Sequence, residues 1–173
     1  MQQFDSVNIR PSPIAGSWYS ADPLHLRESL SVYLDHAKVP NFSGKIRALI
    51  LPHAGHYYSG QTAAFALKAI EGQQYSRVII LSPSHTYYQA EVLTSAHDAY
   101  QTPLGIVPVD RDSILRISEG LAQKELLLNA IRNDREHAIE IELPFLQLLL
   151  SDGFQLIPLM LMDQRLSTAK TLS

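Results

Sequence analysis

Ile46-Arg47-Ala48-Leu49-Ile50-Leu51-Pro52-His53-Ala54-Gly55-His56-Tyr57-Tyr58-Ser59-Gly60 is the stretch from which the fold is read. Ile46–Leu51 is a short apolar run ended by a proline, the signature of a buried strand. Pro52–Gly60 is a loop of turn formers and rings. Gln61–Ile70, rich in alanine, reads as a helix, and Gly72 stands where a glycine closes one. Arg77–Leu81 is a second apolar run, ended by Ser82-Pro83-Ser84. Strand, loop, helix, strand predicts an α/β fold: a mostly parallel or mixed central sheet with helices on both faces.

Working outward, Asp22 is an N-cap with Pro23 at the first helical position. Leu26, Leu30, Tyr33, Leu34 and Ala37 then recur at helical spacing. Downstream, Glu91–Thr94 reads as a third strand and Tyr100–Asp110 as a hairpin or a turn with an edge strand. Asp110 caps a helix running through Glu119. Gly120–Ile131 reads as a weaker helical stretch. Glu136–Leu150 reads as a strong helix with Ile139, Leu143, Leu146 and Leu150 on one face, kinked or restarted at Pro144. Phe154–Met162 returns as a buried strand. No internal repeat and no linker divides the chain, so residues 1–173 read as a single domain.

Composition narrows the function classes. The 173 residues carry 14 Lys+Arg, 17 Asp+Glu, 7 His and no Cys, for a net charge of −3. Without cysteine there is no disulfide scaffold, no thiolate zinc site and no thiolate-held Fe–S cluster. The acidic balance argues against nucleic-acid binding, which needs clustered Lys and Arg. No apolar run approaches the ~20 residues of a membrane span. The polar start from Met1 to Arg10 lacks a signal-peptide pattern. A cytoplasmic protein is the expectation.

Chemistry is expected in the two loops after the first two strands, because open α/β sheets bind ligands beyond the carboxyl ends of their strands. Each loop holds a histidine soon after the apolar run: His53 and His85. If the strands are neighbours, ~4.8 Å apart, the two rings can share an ion. Two histidines with one further group form a frequent catalytic metal shell. The plainer reading of each is a hydrogen-bonded loop residue. Asp134-Arg135-Glu136-His137-Ala138-Ile139-Glu140 is the third candidate. On a helix His137 and Glu140 share a face, so Glu140 can orient His137 as an acid/base group. The plainer alternative is that Glu136 and Glu140 merely favour a helix start. There is no GxGxxG, Walker loop or G-x-S-x-G elbow. Trp18-Tyr19 and Tyr57-Tyr58 are pocket or core candidates.

Several motifs together, in order along nearly the whole chain, resemble the Memo family, which is also known as the B component of the AmmeMemoRadiSam system. They are Arg10 with Ala15-Gly16-Ser17-Trp18-Tyr19, then Pro52-His53-Ala54-Gly55, then Pro83-Ser84-His85. Glu136-His137-Ala138-Ile139-Glu140 with Leu143-Pro144-Phe145-Leu146, and Ile157-Pro158, complete the set. The resemblance implies a fold similar to class III extradiol dioxygenases, which use non-haem iron. It implies metal binding at His53 and His85, with iron ahead of copper or zinc, and a family motif at His137 and Glu140 near the pocket. His137, Glu140 and Tyr57 are the candidates for proton handling. The other AmmeMemoRadiSam components are expected partners, beside an unidentified small molecule or peptide.

Family members are longer. The resemblance places an Asp-Phe-Ser-His-type motif and a cysteine ligand after position 173, and a second histidine where this chain has Thr86. The chain is therefore expected to be C-terminally truncated relative to the family. Two rival expectations stand beside a metal enzyme. One is a non-catalytic module that binds a peptide or partner in the same cleft. The other is an incomplete piece that associates through an exposed sheet edge beside Phe154–Met162.

Overall fold

The computed structural model describes residues 8–40, 43–150 and 153–172. Its elements are β1 (Ile9–Arg10), α1 (Pro23–His36), α2 (Gln61–Leu67), β2 (Arg77–Pro83), β3 (Val92–Ser95), β4 (Ala99–Thr102), β5 (Gly105–Pro108), α3 (Arg111–Ala122), β6 (Leu128–Ile131), α4 (Leu143–Leu149), β7 (Gln155–Leu161) and α5 (Leu166–Leu172). A π-helical turn at His56–Gly60 leads into α2, and a single 3₁₀ turn at Glu140–Glu142 leads into α4.

The spine is a parallel pair, β2 with β7, in register from Arg77 opposite Gln155 to Pro83 opposite Leu161. The other edge of β7 meets β3 antiparallel, and β3 pairs parallel with β6. The resulting mixed sheet has the order β2-β7-β3-β6. A smaller sheet, β1-β4-β5, holds the expected hairpin between β4 and β5. This is the α/β fold that the alternation of elements implies. Among the described residues no helix is long and apolar enough to cross a membrane.

α1 starts where its cap predicts. The Asp22 carboxylate accepts the His25 N–H at 2.8 Å, and Pro23 opens the first turn. Such a cap contributes ~1 kcal/mol. Leu26, Leu30 and Leu34 bury the inner face, each stabilising by ~1.5–3 kcal/mol. α1 packs so closely on the start of α2 that a Cβ at Gly60 would lie 2.9 Å from the Tyr33 ring.

Four expectations are corrected. Ile46–Leu51 forms no regular element and pairs with no strand among the described residues, and Ile50 is 97% exposed. A cavity of about 540 Å³ lies between this segment and β2, so the backbones cannot form a ladder. The weaker helical stretch expected at Gly120–Ile131 is not a helix of its own: α3 runs on from Glu119 only to Ala122. Glu125 turns the chain at φ 60°, and Leu128–Ile131 joins β3 instead; a ladder outweighs weak helix propensity.

The helix expected from Glu136 begins only at Leu143, with Pro144 in its first turn, where a missing N–H costs nothing. Before it lies only the short 3₁₀ turn Glu140–Glu142, and the Glu136 carboxylate accepts from the N–H groups of His137 and Ala138 that lead into that turn. Finally, β7 is no edge strand, being paired on both sides. The free edge of the larger sheet on this side belongs to β2.

Candidate metal centre

Three histidines converge beyond the end of β2. His53 follows the segment 46–51 by two residues, His85 follows β2 by two residues, and His137 lies in the loop before the 3₁₀ turn. Their ligand nitrogens all lie within 4.8 Å of one another. The ring centroids are 5.3 Å apart for His53 and His85, 4.3 Å for His85 and His137, and 5.9 Å for His53 and His137. Trp18 backs the group, its ring 4.2 Å from that of His137. His53 and His85 therefore meet although their parent segments are not paired neighbours.

The buried carboxylate of Glu136 organises the site. Oε1 accepts from His85 Nδ1 at 2.9 Å, and Oε2 accepts the His85 backbone N–H at 2.6 Å. Oε1 also takes the N–H groups of His137 at 2.8 Å and Ala138 at 2.9 Å. Burial pushes the Glu136 pKa up, but these hydrogen bonds outweigh it and hold the carboxyl below its ordinary range. A carboxylate on Nδ1 fixes the proton there and leaves Nε2 of His85 as the lone-pair donor.

The other two rings have lowered pKa values. Burial lowers the pKa of His53, and the neighbouring His85 adds to this, against the pull of Glu136. Burial also lowers that of His137, against the pull of Glu136, with His85 and His53 adding to the lowering. Neutral imidazoles are the form that binds metal. Metal–nitrogen bonds of ~2.0–2.1 Å bring ligand atoms ~3–4 Å apart, so small ring rotations close the observed spacing. The donor set fits a divalent ion: three imidazoles, one oriented by a carboxylate.

Glu140 lies elsewhere. Its fully buried carboxylate bonds Arg10 Nη1 at 2.5 Å, Tyr19 OH at 2.7 Å and the Ser12 hydroxyl. It does not orient His137; the carboxylate beside that ring is Glu136, 3.6 Å from Nδ1. The i, i+3 reading failed because residues 137–140 are not one helix. Arg10 in turn binds Asp134 Oδ1 at 2.8 Å and the Glu136 carbonyl at 2.7 Å, with its guanidinium 4.8 Å from the Tyr100 ring centroid. This buried network pins the loop that carries Glu136 and His137. Tyr57 is 88% exposed, and its ring contact is with Tyr58.

Glu136 is the residue of the candidate site that the sequence left unassigned, since it reads there as a helix-start acid. Its signal is Pro144: a helix that opens with this proline in its first turn leaves Glu136 in a loop. The profile described as "Memo: Memo-like protein" matches residues 10–173. The chain belongs to the Memo family. It is 34% identical to a "MEMO1 family protein" of Nitrosopumilus maritimus over 94% of this chain and 60% of that one. It is 37% identical to "Protein memo-1 homolog" of Caenorhabditis elegans over 88% of this chain and 43% of that one. With a "MEMO1 family protein" of Sulfolobus acidocaldarius the identity is 33%, over 95% and 61%. The chain thus spans about three-fifths or less of the length of these Memo relatives.

Proposed function

We propose that this Memo-family protein binds a divalent metal, iron in first place, through His53, His85 and His137. The pocket would serve redox or dioxygenase-like chemistry on a small oxygenated molecule. The observation that carries the reading is the convergence of three imidazoles within 4.8 Å, with Glu136 fixing the tautomer of one of them. Three protein ligands leave coordination positions free for a substrate oxygen. Bound iron would supply Lewis acidity and an electron-exchange centre.

The chain's own residues supply the rest. Glu136 holds the His85 proton at Nδ1. Trp18 covers one side of His137. Arg10 anchors the loop through Asp134. His85, the more exposed ring, with 43% of its side chain open, lies on the route by which a small molecule reaches the group.

Anaerobic reconstitution with ferrous iron, followed by elemental analysis and titration calorimetry, tests the reading. One ion per chain, lost in the double variant His53→Ala/His85→Ala, is the expected result. Absence of stoichiometric iron, copper or zinc from the unaltered protein overturns it.

A further inference from the structure

The cavity between residues 46–51 and β2 has the outline of a missing strand. Its two long walls are two stretches of chain: Ile46, Arg47, Ala48, Leu49 and Leu51 on one side, and the strand β2 from Arg77 to Pro83 on the other. Leu67 and Ile70 from the α2 end and Leu146 and Leu150 from the α4 end line it as well. Among the described residues β2 has a ladder partner on its β7 side alone. Its outward residues Ile79 and Leu81 remain 56% and 59% exposed. An apolar strand with one open edge accepts another backbone.

Two polar groups mark the space as one that lacks an occupant. The Glu142 side chain lines the cavity at a residue only 4% exposed, and burial alone, with no hydrogen bond or charge partner among the described residues, acts on its carboxyl. Ser82 Oγ, buried in the opposite wall, also has no partner. Buried polar groups are paired in all but a few cases. Here both face the same cavity, between two stretches of backbone that form no ladder with each other.

We propose that this slot binds an extended apolar polypeptide strand, supplied by the part of a Memo polypeptide that lies beyond the stretch matched here. The match covers 60% of the Nitrosopumilus maritimus relative, so the rest of that protein is a polypeptide of the right family and of ample length. Backbone suits the slot better than a small molecule. A strand seated beside β2 satisfies its open edge at the ~4.8 Å ladder spacing, packs alternate side chains on the lining residues, and offers donors to Glu142 and Ser82. His53 lines the same cavity, so the docked strand runs alongside the histidine group.

The test mixes the 173-residue protein, in EDTA, with the unmatched portion of the Nitrosopumilus maritimus relative made as a separate polypeptide. A one-to-one complex by light scattering is expected, with amide exchange across Val78–Leu81 slowed at least about tenfold. Ala48→Trp fills the slot from an exposed wall position, and Ile79→Lys places a charge at its rim. Each variant is expected to abolish the complex while keeping the circular dichroism spectrum of the parent. No complex at about 100 μM, a complex that leaves Val78–Leu81 unprotected, or variants that bind like the parent would overturn the proposal. Concentration-dependent protection of Val78–Leu81 in the protein alone assigns the slot to a second copy, and overturns it too. Because EDTA removes metal, this outcome and that of the iron titration are independent.

Discussion

Glu136 holds His85 twice, its Oε2 taking the backbone N–H at 2.6 Å and its Oε1 the ring Nδ1 at 2.9 Å. One buried carboxylate thus sets both the position and the tautomer of a histidine 51 residues away, while gripping the backbone of His137.

Glu136→Gln removes the charge and turns an amide N–H₂ toward donors that need an acceptor. Metal affinity is expected to fall ~10–100-fold, the usual effect of losing a carboxylate behind a ligating histidine. Folding stability is expected to fall by ~1–3 kcal/mol. Competitive chelator titration and urea denaturation read the two effects separately. Unchanged metal affinity would show that Glu136 has no part in the site.

His137→Ala separates a two-histidine site from a three-histidine one. If His137 is a ligand, the variant loses at least ~100-fold in affinity, as His53→Ala and His85→Ala do. Free metal at 100 times Kd stabilises a binding protein by ~2.7 kcal/mol. The metal-induced rise in Tm should therefore vanish in all three variants. A rise that survives in His137→Ala alone would place the third ligand elsewhere.

Glu142 gives a pH signature. Burial pushes its pKa up to about 8 from an ordinary 4.5, so between those values the folded protein holds a proton that the unfolded chain releases. Stability from this group is present below about pH 4.5 and is lost as pH rises toward about 8, with a slope of up to ~1.4 kcal/mol per pH unit. The histidines whose pKa is lowered pull the other way near pH 6.5, so the readout is a difference. Glu142→Gln should be more stable than the parent at pH 8 and close to it at pH 4.5, by denaturant titration. Parallel pH profiles would show that the carboxyl ionises freely in the folded protein.

Arg10 is 1% exposed and lies between Asp134 and Glu140. Arg10→Met leaves two buried carboxylates without their cation, at an expected cost of ~3–5 kcal/mol. Arg10→Lys should recover little of this, because an ammonium cannot reproduce the forked contacts to Asp134, Glu140 and the Glu136 carbonyl. Chemical denaturation checks both. Full rescue by lysine would reduce Arg10 to a point charge.

Much of the local structure was legible from residue order. The Asp22-Pro23 start of α1, the helix after Gly60, the turn at Gly72 and the apolar runs at 77–81 and 154–162 all carry short-range signals, and the elements stand where those signals put them. Elements whose state depends on a distant partner were misread. Leu128–Ile131 has a helix-tolerant sequence and is a strand because β3 lies beside it. Ile46–Leu51 has a strand sequence and forms no ladder, since a cavity lies where its neighbour would be.

The same division runs through the candidate site. The sequence by itself determined that His53 and His85 sit in equivalent loops after successive apolar runs, and that the chain is of the Memo type. Only the tertiary structure decided that His137 joins them, that Glu136 orients His85, and that Glu140 belongs to Arg10 instead. The reason is physical. A backbone signal such as a cap or a proline acts over a few residues, whereas the role of a buried carboxylate is set by whichever donors the fold brings to it. For Glu140 that donor is an arginine 130 positions earlier in the chain.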